Sequence, residues 1–157
     1  MHIAEGVLSA PVLITGAVVA AGAVAYGLKK LDPRQVMMAA ILGAAFFVAS
    51  LIHIPVGPSS VHLLLNGLLG VLLGWSAVPV IFVGLLLQAI LYGFGGLTVL
   101  GVNTATMGLG AVLSWYIFGG LLSVLKPLGA KKAAAVSGFV SGACGVAIAA
   151  VLTALAL

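Results

Sequence analysis

The stretch that decides the fold is residues 11–28, PVLITGAVVAAGAVAYGL, which carries no charged side chain. A helix needs about 20 apolar residues to cross the hydrocarbon core of a membrane. Residues 29–34, KKLDPR, end this run with charged side chains and a proline. The long apolar run and its polar end predict a membrane-spanning helix.

The rest of the chain repeats this alternation of apolar runs and breakers. The breakers are residues 54–59 with two prolines, the turn at 75–79, the glycine-rich stretch 93–103 and the basic segment 126–132. Between them the sequence predicts further helices at 35–53, 60–74, 80–92, 104–125 and 133–157. We therefore expect one domain over residues 1–157: an all-α, polytopic membrane helix bundle of about six transmembrane helices, with an N-terminal loop, 1–10, folded into its outer face.

Composition supports an integral membrane protein. The chain is 64% hydrophobic and 5% charged, whereas soluble domains are about 25% charged. Its net charge of +4 comes from few residues, and basic patches interleaved with aromatic residues are missing, so no nucleic-acid partner is expected. The surrounding partner is the lipid bilayer.

Charge placement predicts the orientation. With six alternating spans, loops 29–34 and 126–132 fall on one side, and they hold every Lys and Arg of the chain. The positive-inside rule assigns that side to the cytoplasm of a plasma-membrane protein. The N-terminus, the 54–59 segment and the 93–103 loop then lie outside.

The first two residues have the atoms of a metal chelator. The Met1 amine and the His2 amide nitrogen close a five-membered ring on a metal, and the amide nitrogen and His2 Nδ1 close a six-membered one. Three nearly planar nitrogens suit Ni²⁺ or Cu²⁺, and one more imidazole would complete the square. Many proteins begin Met-His, so a frayed chain end is the alternative interpretation.

Several polar residues are placed at the same predicted face. His62 begins the third predicted helix, and Asn66 is four residues on, where its amide could accept the second ring N–H of a metal-bound imidazole. Glu5 could hold the N-terminal loop, and Asn103 could cap the fifth helix. His53 ends the second helix and is interpreted as an interfacial polar residue.

Several catalytic chemistries lack their motifs. The sequence contains no phosphate-binding loop of the Walker type and no His-Glu-x-x-His or Gly-x-Ser-x-Gly motif. Its two acids, Glu5 and Asp32, cannot form a paired-carboxylate relay. A membrane enzyme using His62 with Asn103, and a structural or assembly membrane protein with inert histidines, remain the alternatives to metal capture.

Three stretches carry a family resemblance. They are MHIAEG at 1–6, the segment with Ile54-Pro55, Ser59-Ser60-Val61-His62 and Gly67-Leu68, and GGLTVLGVNT at 95–104. Together they resemble the CbiM/NikM family, the substrate-binding membrane components of energy-coupling-factor nickel and cobalt transporters. The His62 segment is about one residue out of register with the commoner family pattern, and the chain stops at Leu157, where the family usually continues.

The resemblance implies a function and a ligand set. The metal would be held by the Met1 amine, the His2 amide and imidazole nitrogens, and His62, with Glu5, Asn66 and Asn103 as supporting residues. The protein would be a transport component and not an enzyme, and nickel or cobalt would be its transported substrate, with no cofactor. Its partners would be ATP-binding-cassette ATPase subunits, a transmembrane coupling protein and a small accessory membrane protein.

Overall fold

A computed structural model describes residues 3, 5–56, 59–62 and 64–157; for 53–56 and 59–62 it describes the backbone. In this part of the chain six α-helices and one β-hairpin follow one another. Short 3-10 turns lie at Pro33–Gln35, Gly74–Ser76 and Lys126–Leu128. The elements are α1 Ala10–Lys30, α2 Val36–Leu51, β1 His53–Val56, β2 Ser59–His62, α3 Asn66–Leu73, α4 Ala77–Tyr92, α5 Leu100–Val124 and α6 Ala130–Ala156.

The polytopic helix bundle predicted from the sequence is confirmed. Five helical segments of the described chain are long and apolar enough to cross a membrane; one of them, Asn66–Tyr92, joins α3 and α4, which reverse direction at the Gly74–Ser76 turn. Large apolar side chains remain exposed along these segments, as expected where the surrounding solvent is lipid. Helix α5 packs against α1, α3, α4 and α6 and is the centre of the bundle.

The direction of each helix follows from residues that touch. Gly16 in α1 lies against Val102 in α5. Further along both helices, Gly27 packs on Trp75, whose Nε1 donates to Tyr116 Oη in α5 at 3.3 Å. Helices α1 and α5 therefore run parallel, and the basic segments that follow them lie at the same end of the bundle. We call this the basic end and the opposite one the N-terminal end.

The third predicted helix, 60–74, needs a correction. Its first residues form strand β2, which pairs antiparallel with β1, and the helix covers only Asn66–Leu73. Pro55 lacks an N–H and disfavours helix, whereas the extended backbone of Ser59–His62 is paired with that of His53–Val56. His62 therefore lies on a strand, and the predicted helix face shared by His62 and Asn66 does not form.

Helix α3 begins in the middle of the bundle. Asn66 contacts Gly145, halfway along α6, and the end of α3 at Gly74 packs on Trp115 towards the basic end. Eight residues of helix span about 12 Å, less than half of a bilayer core of about 30 Å. The hairpin and the residues after it therefore connect the N-terminal end to the middle of the bundle.

Candidate metal centre

The chain start is held against α5 by a reciprocal pair of hydrogen bonds. The Ile3 N–H donates to Asn103 Oδ1 at 3.1 Å, and Asn103 Nδ2 donates to the Ile3 carbonyl at 3.3 Å. Asn103 is 3% exposed. Because α5 begins at Leu100, Asn103 lies inside the helix, and its side chain binds the N-terminal segment instead of capping α5 as predicted.

Ile3 is also buried by apolar packing. It is 3% exposed and forms a cluster with Val99 and Val102, on which Leu8, Val12, Leu13 and Ala156 pack. Burial of a large aliphatic side chain contributes about 1.5–3 kcal/mol. The N-terminal segment is therefore fixed at Ile3 by both polar and apolar contacts.

Glu5 makes a second attachment, two residues further along. One oxygen, Oε1, accepts the Thr98 N–H and the Thr98 hydroxyl, each at 3.1 Å. These bonds, the backbone N–H first, lower the pKa of the Glu5 carboxyl below its usual value of 4.5. Glu5 therefore stays ionised and bound to the glycine-rich loop at neutral pH.

Gly96 makes room for this attachment. Its φ is 99°, and a Cβ there would collide with the Glu5 side chain. Glycine is required on both counts, because other residues rarely adopt a positive φ. The sequence GGLT at 95–98 thus forms a seat for Glu5.

We expect Gly96→Ala to detach Glu5 from Thr98 and lower the free energy of unfolding by more than about 1 kcal/mol, the cost of a left-handed backbone alone. The measurement is amide hydrogen exchange at Thr98 and Ile3, which should become faster. Gly93→Ala is the matched control, because its φ is 67° but no atom lies within 4 Å of the added Cβ. Equal exchange rates at Thr98 in the two variants would contradict the role of Gly96.

The hairpin aligns two histidines along its backbone. His53 in β1 is the direct partner of His62 in β2, at the end of the hairpin nearest α2 and α3. Met1, His2 and the side chains of His53 and His62 lie outside the described residues. The ligand set Met1, His2 and His62 therefore stays a prediction.

Asn66 lies immediately beyond the hairpin and is fully buried. Its Nδ2 donates to the Gly145 carbonyl at 3.4 Å, while Oδ1 has no hydrogen-bond partner in the described part of the chain. An unpaired buried oxygen costs about 1–3 kcal/mol. Asn66 thus holds α3 on α6 and keeps one acceptor unused.

The structure brings Glu5 to Thr98 and Asn103 to Ile3, whereas the hydrogen bond of Asn66 goes to Gly145 in α6. Over the described ranges, no group of three or more His, Cys, Asp or Glu residues could hold a metal. Ile3 and Gly96, which fix the segment, were not singled out from the sequence. Ile3 lies in the motif MHIAEG and Gly96 in the motif GGLTVLGVNT. Membership of these motifs was the sequence signal that could have identified the two residues.

These features define a multi-pass membrane protein with its N-terminal segment folded into one end of a helical bundle. The chain matches the family model described as cobalt uptake substrate-specific transmembrane region, CbiM, over residues 2–157. It belongs to this family.

Individual relatives agree with this assignment. A candidate metal transport protein of Haemophilus influenzae is 46% identical over 93% of this chain and 69% of its own length. The cobalt transport protein CbiM 1 of Pelobacter propionicus is 42% identical over 69% of this chain, and the fused nickel transport protein NikMN of Rhodobacter capsulatus is 38% identical over 68%. The matched region spans only 52% and 33% of the length of these two proteins.

Two solved structures share the fold. A truncated transition metal transporter superposes with a TM-score of 0.69 over 97% of this chain and 73% of its own, at 26% identity. A second transition metal transporter gives the same TM-score and identity over 96% of this chain and 68% of its own. The metal in such a family is a transported substrate and not a cofactor.

Proposed function

We propose that this protein captures nickel or cobalt ions for an ATP-driven importer of the energy-coupling-factor type. The metal would be bound near the N-terminal end by the Met1 amine, the His2 amide and imidazole nitrogens, and His62. Glu5, Asn66 and Asn103 would support these ligands. This is a capture component and carries no ATPase of its own.

The observation that carries the proposal is the attachment of Ile3 to Asn103. Consecutive Cα atoms are about 3.8 Å apart, so His2 lies next to a buried residue and Met1 within two residue lengths of it. A frayed chain end would have no such anchor. The attachment supports a site here because it holds the residue next to the proposed amine, amide nitrogen and imidazole ligands.

The hairpin supports the choice of this region. Non-helical backbone at membrane depth is tolerated where it is buried in protein or lines a cavity. Here a hairpin takes the place of about half a transmembrane helix, between the end of α2 and the start of α3. It would bring the fourth nitrogen, from His62, to the N-terminal segment.

Energy would come from partner proteins, and the orientation would follow from the chain's own basic segments. The proposed partners are ATP-binding-cassette ATPase subunits, a transmembrane coupling protein and a small accessory membrane protein. The basic end, with segments 29–34 and 126–132, would face the cytoplasm, and the N-terminal end would face outwards. Captured metal would then enter the protein from outside the cell.

The test is metal titration of the purified protein with an absorption spectrum. The proposal predicts one nickel or cobalt ion per chain and, for nickel, the visible bands of a planar nitrogen site. A protein that binds neither metal would instead support the structural or assembly role. Titration with both ions, separately and in competition, would show which one this chain prefers.

We expect metal affinity to fall steeply between about pH 8 and pH 6, because the amine and imidazole ligands must lose protons to bind, and their reference pKa values are about 7.7–8.0 and 6.5. The Glu5 attachment behaves differently. The pKa of Glu5 is lowered from 4.5 in the folded state, so its contribution to stability is fully present above 4.5 and is lost as the pH falls through the lower, folded value.

Metal titration between pH 8 and pH 5, with hydrogen exchange at Thr98 as the control, separates the two effects. The metal should leave while the segment stays docked. Constant affinity across this range would contradict amine and imidazole ligation.

A further inference from the structure

Gln88 joins two helices at the N-terminal end of the bundle. It lies near the end of α4 and is fully buried. Its Nε2 donates to Ser50 Oγ in the last turn of α2, and Ser50 Oγ donates to the Phe47 carbonyl at 2.6 Å.

Gln88 lies between two segments next to the proposed metal site, the hairpin and the glycine-rich loop. Ser50 is three residues before His53, where the hairpin begins, so the bond fixes the base of the hairpin. The Gln88 backbone carbonyl accepts the Phe94 N–H at 3.3 Å. Phe94 opens the glycine-rich loop whose Thr98 holds Glu5. The Gln88 side chain thus contacts the end of α2 just before the hairpin, and its backbone carbonyl, which any residue would supply, contacts the start of the loop.

A purely structural role does not account for a glutamine here. Its Oε1 is buried and has no hydrogen-bond partner in the described part of the chain, which lowers stability relative to a well-packed apolar side chain. The same corner is already closed by aromatic contacts, with ring centroids 6.1 Å apart for Phe47 and Tyr92 and 5.7 Å apart for Tyr92 and Phe94. Methionine would fill the space without an unpaired oxygen.

We propose that Gln88 is a positioning residue that fixes the hairpin relative to the N-terminal segment. The imidazole of His62 could then complete the plane formed by the three nitrogens of Met1 and His2. This inference rests on the proposed function. Four nitrogens in a plane tolerate little displacement, and residues behind metal ligands typically change affinity by about 10–100-fold when replaced. Gln88 acts through Ser50 and the loop and is not itself a ligand.

The experiment uses the full chain with Gln88→Met, Ser50→Ala and the double variant. Ser114→Ala is the matched control, because Ser114 is also fully buried but, among the described residues, donates to a carbonyl of its own helix, that of Gly110, at 3.0 Å. Three quantities are measured for each: nickel affinity, the absorption spectrum of the bound metal and the melting temperature of the metal-free protein.

We expect Gln88→Met to weaken nickel binding by about tenfold or more and to shift the absorption bands, with a melting temperature equal to or above that of the original protein. Ser50→Ala should weaken binding as well, and the double variant should bind no more weakly than Ser50→Ala, because that change already removes the bond to Gln88. Ser114→Ala should bind as the original does.

Two results would overturn the inference while leaving the proposed function intact. One is an unaltered affinity and spectrum in Gln88→Met, beside an original protein that binds one nickel. The other is a fall in affinity that is matched by a fall in melting temperature with the absorption bands unchanged, which a loss of folding alone would cause. An original protein that binds no metal would overturn both proposals.

Discussion

A Gly-Ser extension placed before Met1 is expected to lower nickel or cobalt affinity at least ~100-fold, or about 2.8 kcal/mol. The extension converts the Met1 amine into an amide, which removes the five-membered chelate ring. All three histidines remain, including the proposed ligands His2 and His62. Ile3 can still bind Asn103, because that attachment uses the Ile3 N–H and carbonyl and not the chain end.

The measurement is metal content and affinity of this variant beside a chain with the same two residues at its C-terminus, both without metal-binding tags. Hydrogen exchange at Ile3 provides the control for docking and should be equal in both chains. Equal, stoichiometric metal in the two chains would show that the amine is not a ligand.

His62→Ala is expected to reduce metal affinity by more than about 100-fold, beyond the range seen for residues that only orient ligands. It removes the fourth nitrogen of the proposed plane. The fold should persist, because the hairpin pairs through its backbone and β2 makes its ladder with β1 whatever the side chain.

His53→Ala is the matched variant, since His53 is the backbone partner of His62 in the same hairpin. It should bind metal almost as the original chain does, and the melting temperatures of the two metal-free variants should agree. The reverse order of affinities would assign the fourth nitrogen to His53. Near-original affinity in both variants would remove the hairpin from the site.

Helix existence was predictable because charged and proline-rich breakers divide apolar runs of membrane-spanning length. The exception is residues 60–74, where strand, connection and helix share one apolar run. Periodicity gives no signal in a run that is apolar on all sides. The choice between strand and helix there depends on pairing with His53–Val56, which is a tertiary contact.

The sequence motifs predicted where the candidate site lies, but not which residues contact each other there. Asn103 follows a glycine-rich stretch, so local rules assign it to a helix cap. In the structure the helix starts earlier, and the Asn103 side chain binds Ile3, a hundred residues away in sequence. A polar chain start likewise resembles a frayed tail until the groove formed by Val99 and Val102 is known.

The separation between Ile3 and Asn103 also determines when the site can form. Ribosomes add about 5–20 residues per second, so roughly 5–20 s pass between the synthesis of the two partners. Until α5 has entered the membrane, Ile3 has no Asn103 to bind. Ile3 is therefore synthesised well before its partner, and the segment around it can dock only when the central helix of the bundle is in place.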